Sequence, residues 1–168
     1  MRRGLKVDGI KNKISDLRNI NSDIILRTSI IVGHPGETDK EFNELYNFIK
    51  EIKFDRLGVF TYSNEEGTYG YNAFNDDIPQ QVKYDRMDAI MLLQQDISLE
   101  KNKKLIGNKE KVIIDKILDD NVSVGRTYRD SPDVDNTVII DGIYTIGEFI
   151  NVKIIDASEY ELKAKKIL

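Results

Sequence analysis

The hydrophobic period of this chain changes near Gly107, and that change constrains its fold more than any single motif. Before Gly107 the apolar residues recur at helical spacing or gather in one apolar run. After it, short β-branched runs follow one another between polar, glycine-bearing breaks. Two successive regimes predict an α/β segment followed by an all-β one.

In the first regime, Val7, Ile10, Ile14 and Leu17 suit one face of a helix over Lys6 to Asn19. Ile24 to Val32 is a nearly unbroken apolar run, which predicts a strand buried on both faces, as in parallel sheets. Gly33-His34-Pro35-Gly36 breaks the run, and Thr38 to Glu41 has the capping-box spacing that opens a helix. Phe42, Leu45, Tyr46, Phe48, Ile49 and Ile52 supply that helix's apolar stripe, and Arg56 to Tyr62 predicts a second strand. Residues 24–62 therefore predict a β-loop-α-β unit, followed by a long surface loop over 63–78. Pro79 suits a first helical turn, and the spacing from Val82 to Leu105 predicts a long amphipathic helix that Gly107 ends.

In the second regime, Val112 to Ile117, Thr137 to Ile140, Phe149 to Ile155 and Leu162 to Ile167 read as strands. Four or five strands in about sixty residues predict a small antiparallel β-barrel, since closure removes exposed edges. The expected domains are 1–105 and 106–168.

Composition narrows the chemistry. The 168 residues contain no cysteine, which excludes disulfides, thiolate-bound zinc, cysteine nucleophiles and cysteine-ligated iron–sulfur clusters within this chain. With a single histidine, His34, no protein-only transition-metal site is expected, and none is assigned. No run reaches the ~18 apolar residues of a membrane span, and the first residues lack the apolar centre of a signal peptide, so a cytoplasmic location without membrane contact is expected. The net charge is −4. Residues 105–168 carry nine Lys and Arg against twelve Asp and Glu, a net of −3, which favours a basic partner over a nucleic acid for that region.

Ligands of parallel α/β sheets sit at the carboxyl ends of the strands. Here those ends carry Val32-Gly33-His34-Pro35-Gly36-Glu37 and Phe60-Thr61-Tyr62-Ser63: glycines that permit close backbone approach, and hydroxyls for a polar small molecule. The alternative is a β-α turn that needs glycine for its geometry, with Glu37 at a helix N-terminus. His34 has no second histidine or cysteine to complete a triad and reads as a pocket-wall residue, so no catalytic residue is assigned. Asp76-Asp77 and Glu65-Glu66 read as solvated pairs, and Lys101, Lys103 and Lys104 as cations at a helix C-terminus. Farther on, Gly125-Arg126-Thr127-Tyr128-Arg129-Asp130-Ser131-Pro132-Asp133-Val134-Asp135 sets two arginines against three aspartates around a proline. It reads as a loop that touches a partner or as one shaped by internal ion pairs.

Taken together, Arg27-Thr28, Ile31-Val32-Gly33-His34-Pro35-Gly36-Glu37-Thr38, Phe54 to Ser63, Glu66-Gly67-Thr68 and Leu93 to Ser98, with Met1-Arg2-Arg3, resemble in order and spacing the C-terminal portion of a radical S-adenosylmethionine methylthiotransferase. The resemblance covers nearly the whole chain, with His34 where that family commonly has Phe. The Tyr128-to-Asp135 element resembles the branch that modifies an aspartate of a small-subunit ribosomal protein, the twelfth of its series. A related branch modifies an adenosine in tRNA and tends to be more basic there.

The resemblance implies part of a TIM-type (β/α) barrel joined to a five-stranded TRAM/OB-like barrel used in substrate recognition. It implies a parent enzyme using S-adenosylmethionine and two 4Fe-4S clusters, whose cysteine motif this chain does not contain. On that basis the chain is expected to be a C-terminal fragment, inactive alone and binding neither cofactor by itself, whose truncated barrel face could dimerise. Carried over by position, Arg27, Ile31, Gly33, Pro35, Gly36, Glu37, Val59, Thr61 and Tyr62 are expected at the S-adenosylmethionine site. Arg126, Tyr128, Arg129, Asp130, Asp133 and Asp135 are expected to recognise the basic ribosomal protein, with tRNA as the alternative partner.

Overall fold

The computed structural model describes residues 7–119 and 121–167; of Asp119 only the backbone is described. The Met1-Arg2-Arg3 element and the Lys6 start of the first helix lie outside the described residues. The chain divides into two compact units, residues 1–83 and 84–168.

In the first unit α1 (Val7–Ile20) precedes β1 (Arg27–Val32), α2 (Asp39–Ile52), β2 (Arg56–Thr61) and the short α3 (Tyr69–Ala73). The capping box over Thr38 to Glu41 forms as its spacing predicts. The Thr38 hydroxyl accepts from the Glu41 N–H, and the Glu41 carboxylate accepts from the Thr38 N–H at 2.8 Å. Ile14, Ile52 and Phe54 form a small core, with Leu26, Phe48 and Leu57 against it. The β2 entry is tied to β1 by side chain as well as by ladder, because Asp55 Oδ2 accepts from the Leu26 N–H at 2.9 Å.

β1 and β2 pair in parallel, Arg27 opposite Arg56 through Val32 opposite Thr61. β1 differs from the strand buried on both faces that its apolar run predicts: it starts three residues later, and burial alternates along it. Ser29 and Ile31 face outward, and Phe60, opposite Ile31, is 59% exposed. With two strands the helices cover one face only. The loop predicted over 63–78 also contains a helix: Thr68 caps α3, its hydroxyl accepting from the Tyr71 N–H at 3.2 Å.

α4 (Gln80–Lys103) starts in the last residues of the first unit and continues through the second. The second unit then closes a barrel in the order β3-β4-β5-β7-β6, from β3 (Lys109–Asp119), β4 (Val122–Arg126), β5 (Thr137–Asp141), β6 (Phe149–Ala157) and β7 (Glu161–Lys166). Four junctions are antiparallel and β5 runs parallel to β7. An odd ring of strands cannot alternate all the way round, so a closed five-stranded barrel must contain a parallel pair. β3 serves two neighbours, pairing β6 with its first half and β4 with its second, and register shifts after Ile114 and Ile117 bend it between them.

Alternation along the strands sends Val112, Ile114, Val138, Ile140, Ile150, Val152, Ile154, Leu162 and Ala164 inward, none more than 4% exposed. Each large aliphatic among them contributes about 1.5–3 kcal/mol of burial before chain entropy is charged. Gly125 lets β4 meet β3: a Cβ there would lie 2.6 Å from Val112 Cγ1 and closer still to the Ile113 carbonyl oxygen. The end of α4 is pinned to the turn before β7. Ser98 Oγ donates to the Glu159 carbonyl at 2.6 Å, and buried Asn102 donates to those of Ser158 and Glu159 at 2.8 and 3.1 Å.

Candidate functional site

Because parallel partners share a face, the register decides which residues at the strand ends can act together. Ile31 and Phe60 stand side by side on the open face, while Val59 and Thr61 belong to the opposite face with Ile30 and Val32. The residues expected at one cofactor site are thus divided between the two sides of the sheet. Arg27 lies five residues before Val32, roughly 16 Å along the strand.

Past the strand ends, backbone and carboxylates interlock. Gly33 is buried at φ +72°, and its N–H donates to Glu37 Oε1 at 3.1 Å. Gly36, at φ +80°, donates its N–H to Asp77 Oδ1 at 3.1 Å. Pro35 is half-buried, and its carbonyl oxygen lies 3.1 Å from His34 Nδ1. The His34 ring stands edge-on to Tyr62 and Phe74, centroids 5.1 and 5.5 Å away, so it fills a wall between two aromatics. The Tyr62 hydroxyl lies 3.3 Å from Asn64 Oδ1. Gly33, Gly36, Glu37 and Tyr62 are therefore brought together, and Lys83, which the sequence reading passed over, joins them, while Phe60, quoted there only as part of the strand end, stands on the open face. Phe60 could have been found from the two-residue period of a strand with one open face. Lys83, only 1% exposed, carries no such signal, because a lysine at a helix start ordinarily reads as solvated.

The second candidate region starts at the end of β4 and runs through the turn before β5. Arg126 pairs with Asp115, and Arg129 with the carboxylate of Glu110 at 2.8 Å. Buried Asp130 accepts from the Thr127 hydroxyl at 2.8 Å, and Asp135 accepts from the Ser131 N–H at 2.7 Å. Four of the six expected recognition residues thus make bonds within the unit. Tyr128 and Asp133 are exposed, Tyr128 at 67% with the Arg129 guanidinium 4.4 Å from its ring centroid, and Asp133 in left-handed backbone at φ +60°. Exposed Val134 lies beside them.

Elsewhere on this barrel one row of the surface is basic, which net charge conceals. Lys109 is directly opposite Lys153, and Lys153 opposite Lys165, all three exposed. Beside that row Lys111 lies over the Phe149 ring at 4.9 Å, and Lys166 over Tyr144 at 4.9 Å. Among the described residues no group of three His, Cys, Asp or Glu could hold a metal ion, and no helix is long and apolar enough to cross a membrane.

Residues 106–167 match the TRAM domain family. Over nearly its full length the chain is similar to the ribosomal protein uS12 methylthiotransferase RimO of several bacteria. It is 47% identical over 96% of the chain to that of Cytophaga hutchinsonii, 42% over 98% to that of Prosthecochloris aestuarii, and 44% over 96% to that of Clostridioides difficile. It spans 37–39% of the length of these relatives, matching a C-terminal part of them.

Proposed function

From the premise that this chain belongs to the ribosomal protein uS12 methylthiotransferase family, we propose that it is the C-terminal part of an enzyme that methylthiolates an aspartate of that ribosomal protein, its own residues supplying one wall of an S-adenosylmethionine site and a substrate-recognition barrel. The observation that carries this reading is the 47% identity maintained over 96% of the chain.

The strand-end geometry fits the cofactor. The N–H groups of Gly33 and Gly36 already hold carboxylates, so this turn is not a phosphate cradle. Glu37 and Asp77, whose carboxylates meet backbone N–H groups there, instead suit a ligand bearing positive charge, such as a sulfonium with an amino group. Ile31 and Phe60 offer apolar surface for a flat base, with Tyr62 and the backbone of Gly33 and Pro35 at the edge, while Val59 and Thr61 back the sheet from its other face. Bound there, S-adenosylmethionine would be cleaved at an iron–sulfur cluster held by cysteines that this chain does not contain, so the steps left to these residues are binding and orientation. Cluster ligation does not fit them. In the loop of residues 126–135, Arg126, Arg129, Asp130 and Asp135 hold the shape, while Tyr128 and Asp133 meet the basic protein.

The test is made on the full-length protein with its clusters loaded. Incubated with S-adenosylmethionine, a sulfur source, reductant and uS12, it should place a methylthio group on an aspartate of uS12, seen by peptide mass spectrometry. Modification of tRNA adenosine in place of uS12 would overturn the reading. A second reading, in which the barrel grips RNA, is favoured by one observation: the Lys109-Lys153-Lys165 row beside Phe149 and Tyr144, which makes no ion pair among the described residues. Salt titration separates the two, since phosphate binding would fall steeply with salt and would be weakened by Lys153→Glu but not by Asp133→Lys.

A further inference from the structure

Lys83 is the one lysine among the described residues whose side chain is fully buried, at 1% exposure, and burying an ammonium costs several kcal/mol unless it is paired. Its Nζ lies 2.6 Å from each carboxylate oxygen of Asp76, 3.4 Å from the Tyr62 carbonyl oxygen and 5.3 Å from the Tyr62 ring centroid. Its aliphatic stem lies across Gly33, where an added Cβ would come within 3.0 Å of Lys83 Cδ and closer to Cγ. One side chain therefore joins the exit of β1, the exit of β2 and the segment after α3.

Residues 74–77 belong to no helix or strand, and side chains hold them in place. Phe74 packs edge-on against His34, Asp76 binds Lys83, and Asp77 binds the Gly36 N–H at 3.1 Å. Of these ties, the buried ion pair also reaches β2. Removing Asp76 would leave the Lys83 charge fully buried and unpaired by it, removing Lys83 would leave the part-buried Asp76 carboxylate without its cation, and either change would leave the segment tied only through Phe74 and Asp77.

We propose that Lys83 is a positioning residue for S-adenosylmethionine: through Asp76 it clasps residues 74–77 across the two strand exits and so fixes the rim of the cofactor site. This rests on the cofactor reading above. In the Lys83 state the rim is preorganised; without the pair, binding must first order it.

The test uses the full-length, cluster-loaded protein, with S-adenosylmethionine affinity by equilibrium binding, hydrogen exchange over residues 63–78, and steady-state kinetics. Lys83→Met keeps the stem on Gly33 and removes the charge, Asp76→Asn breaks the pair from the partly exposed side, and Lys83→Arg keeps the cation. About tenfold weaker binding is expected for Lys83→Met and Asp76→Asn, with faster exchange over 63–78, a raised KM for S-adenosylmethionine and a kcat near wild type, while Lys83→Arg recovers most of the affinity. If Lys83→Met fails to fold, Asp76→Asn removes the same pair. Wild-type affinity in Asp76→Asn overturns the proposal, and so does faster exchange without loss of affinity. A wild-type protein that does not bind S-adenosylmethionine overturns the cofactor reading itself, a failure seen before any variant is compared.

Discussion

The two units solve the same problem in opposite ways. The barrel closes five strands on one another and fills its inside with nine side chains, none above 4% exposed, so its backbone and its core are satisfied from within. The first unit has two strands, one covered face and an open face that carries Ile31 and Phe60. A two-stranded sheet is marginal alone, and here it is tied by single side chains: Asp55 to Leu26, the Thr38 and Glu41 box, Lys83 to Asp76. Redundant packing therefore sets stability in one unit, and individual polar ties set geometry in the other.

The contrast is sharpest where the barrel leaves no room. Gly125→Ala should destabilise the second unit by about 3 kcal/mol or more, since the new Cβ meets a strand backbone that cannot yield without opening the β3–β4 ladder. Denaturant unfolding followed by circular dichroism reads this directly, and a loss below about 1 kcal/mol would show that the barrel is looser than its closure implies. Next comes Asn102→Ala, at about 2 kcal/mol. It removes donors from two carbonyls and orphans Asn136, which donates to Asn102 at 3.0 Å. Hydrogen exchange over residues 158–161 should quicken with it.

Legibility followed the same division. The capping box, the stripe of α2 and the β-rich run of β6 are local signals, and each appears where the sequence puts it. β4 was hidden because Ser123, Gly125 and Arg126 dilute its apolar content, yet Gly125 is the residue that close strand approach requires. The parallel β5–β7 pair follows from ring parity, a property of the closed whole that no segment displays. At the strand ends the glycines and Tyr62 were legible, whereas Lys83 was not, since its burial depends on Asp76, Tyr62 and Gly33 meeting in space. The net acidic charge also hid the lysine row, which only strand register assembles.

A smaller effect is expected in the first unit at its best-formed local tie. Thr38→Ala should cost about 1 kcal/mol, the ordinary worth of an N-cap. The box also carries a pH signature. The Thr38 backbone N–H, then its hydroxyl, stabilises the ionised Glu41 and holds its pKa below the ordinary glutamate value. The folded state thus binds this proton less readily than the unfolded chain, so the contribution is full above the ordinary pKa of 4.5 and is lost as pH falls through the lowered one. Glu41→Gln should flatten the acid limb of the stability profile below the ordinary pKa of 4.5, and an unchanged acid slope would remove the box from the account.

The smallest change is expected at the largest exposed ring of the open face. Phe60 is 59% exposed and its Cβ points away from the helices, so Phe60→Ser should shift this chain's unfolding free energy by less than about 0.5 kcal/mol. An equivalent cut in the barrel, Ile140→Ala, should cost about 2–5 kcal/mol, because Ile140 is fully enclosed. A loss near the barrel value at Phe60 would mean that the open face is covered in solution, and sedimentation of the same sample would then report a second copy on it. Near-neutrality in this chain combined with weakened cofactor affinity in the full-length protein is the pattern a ligand-facing side chain gives: it contributes little until something binds against it.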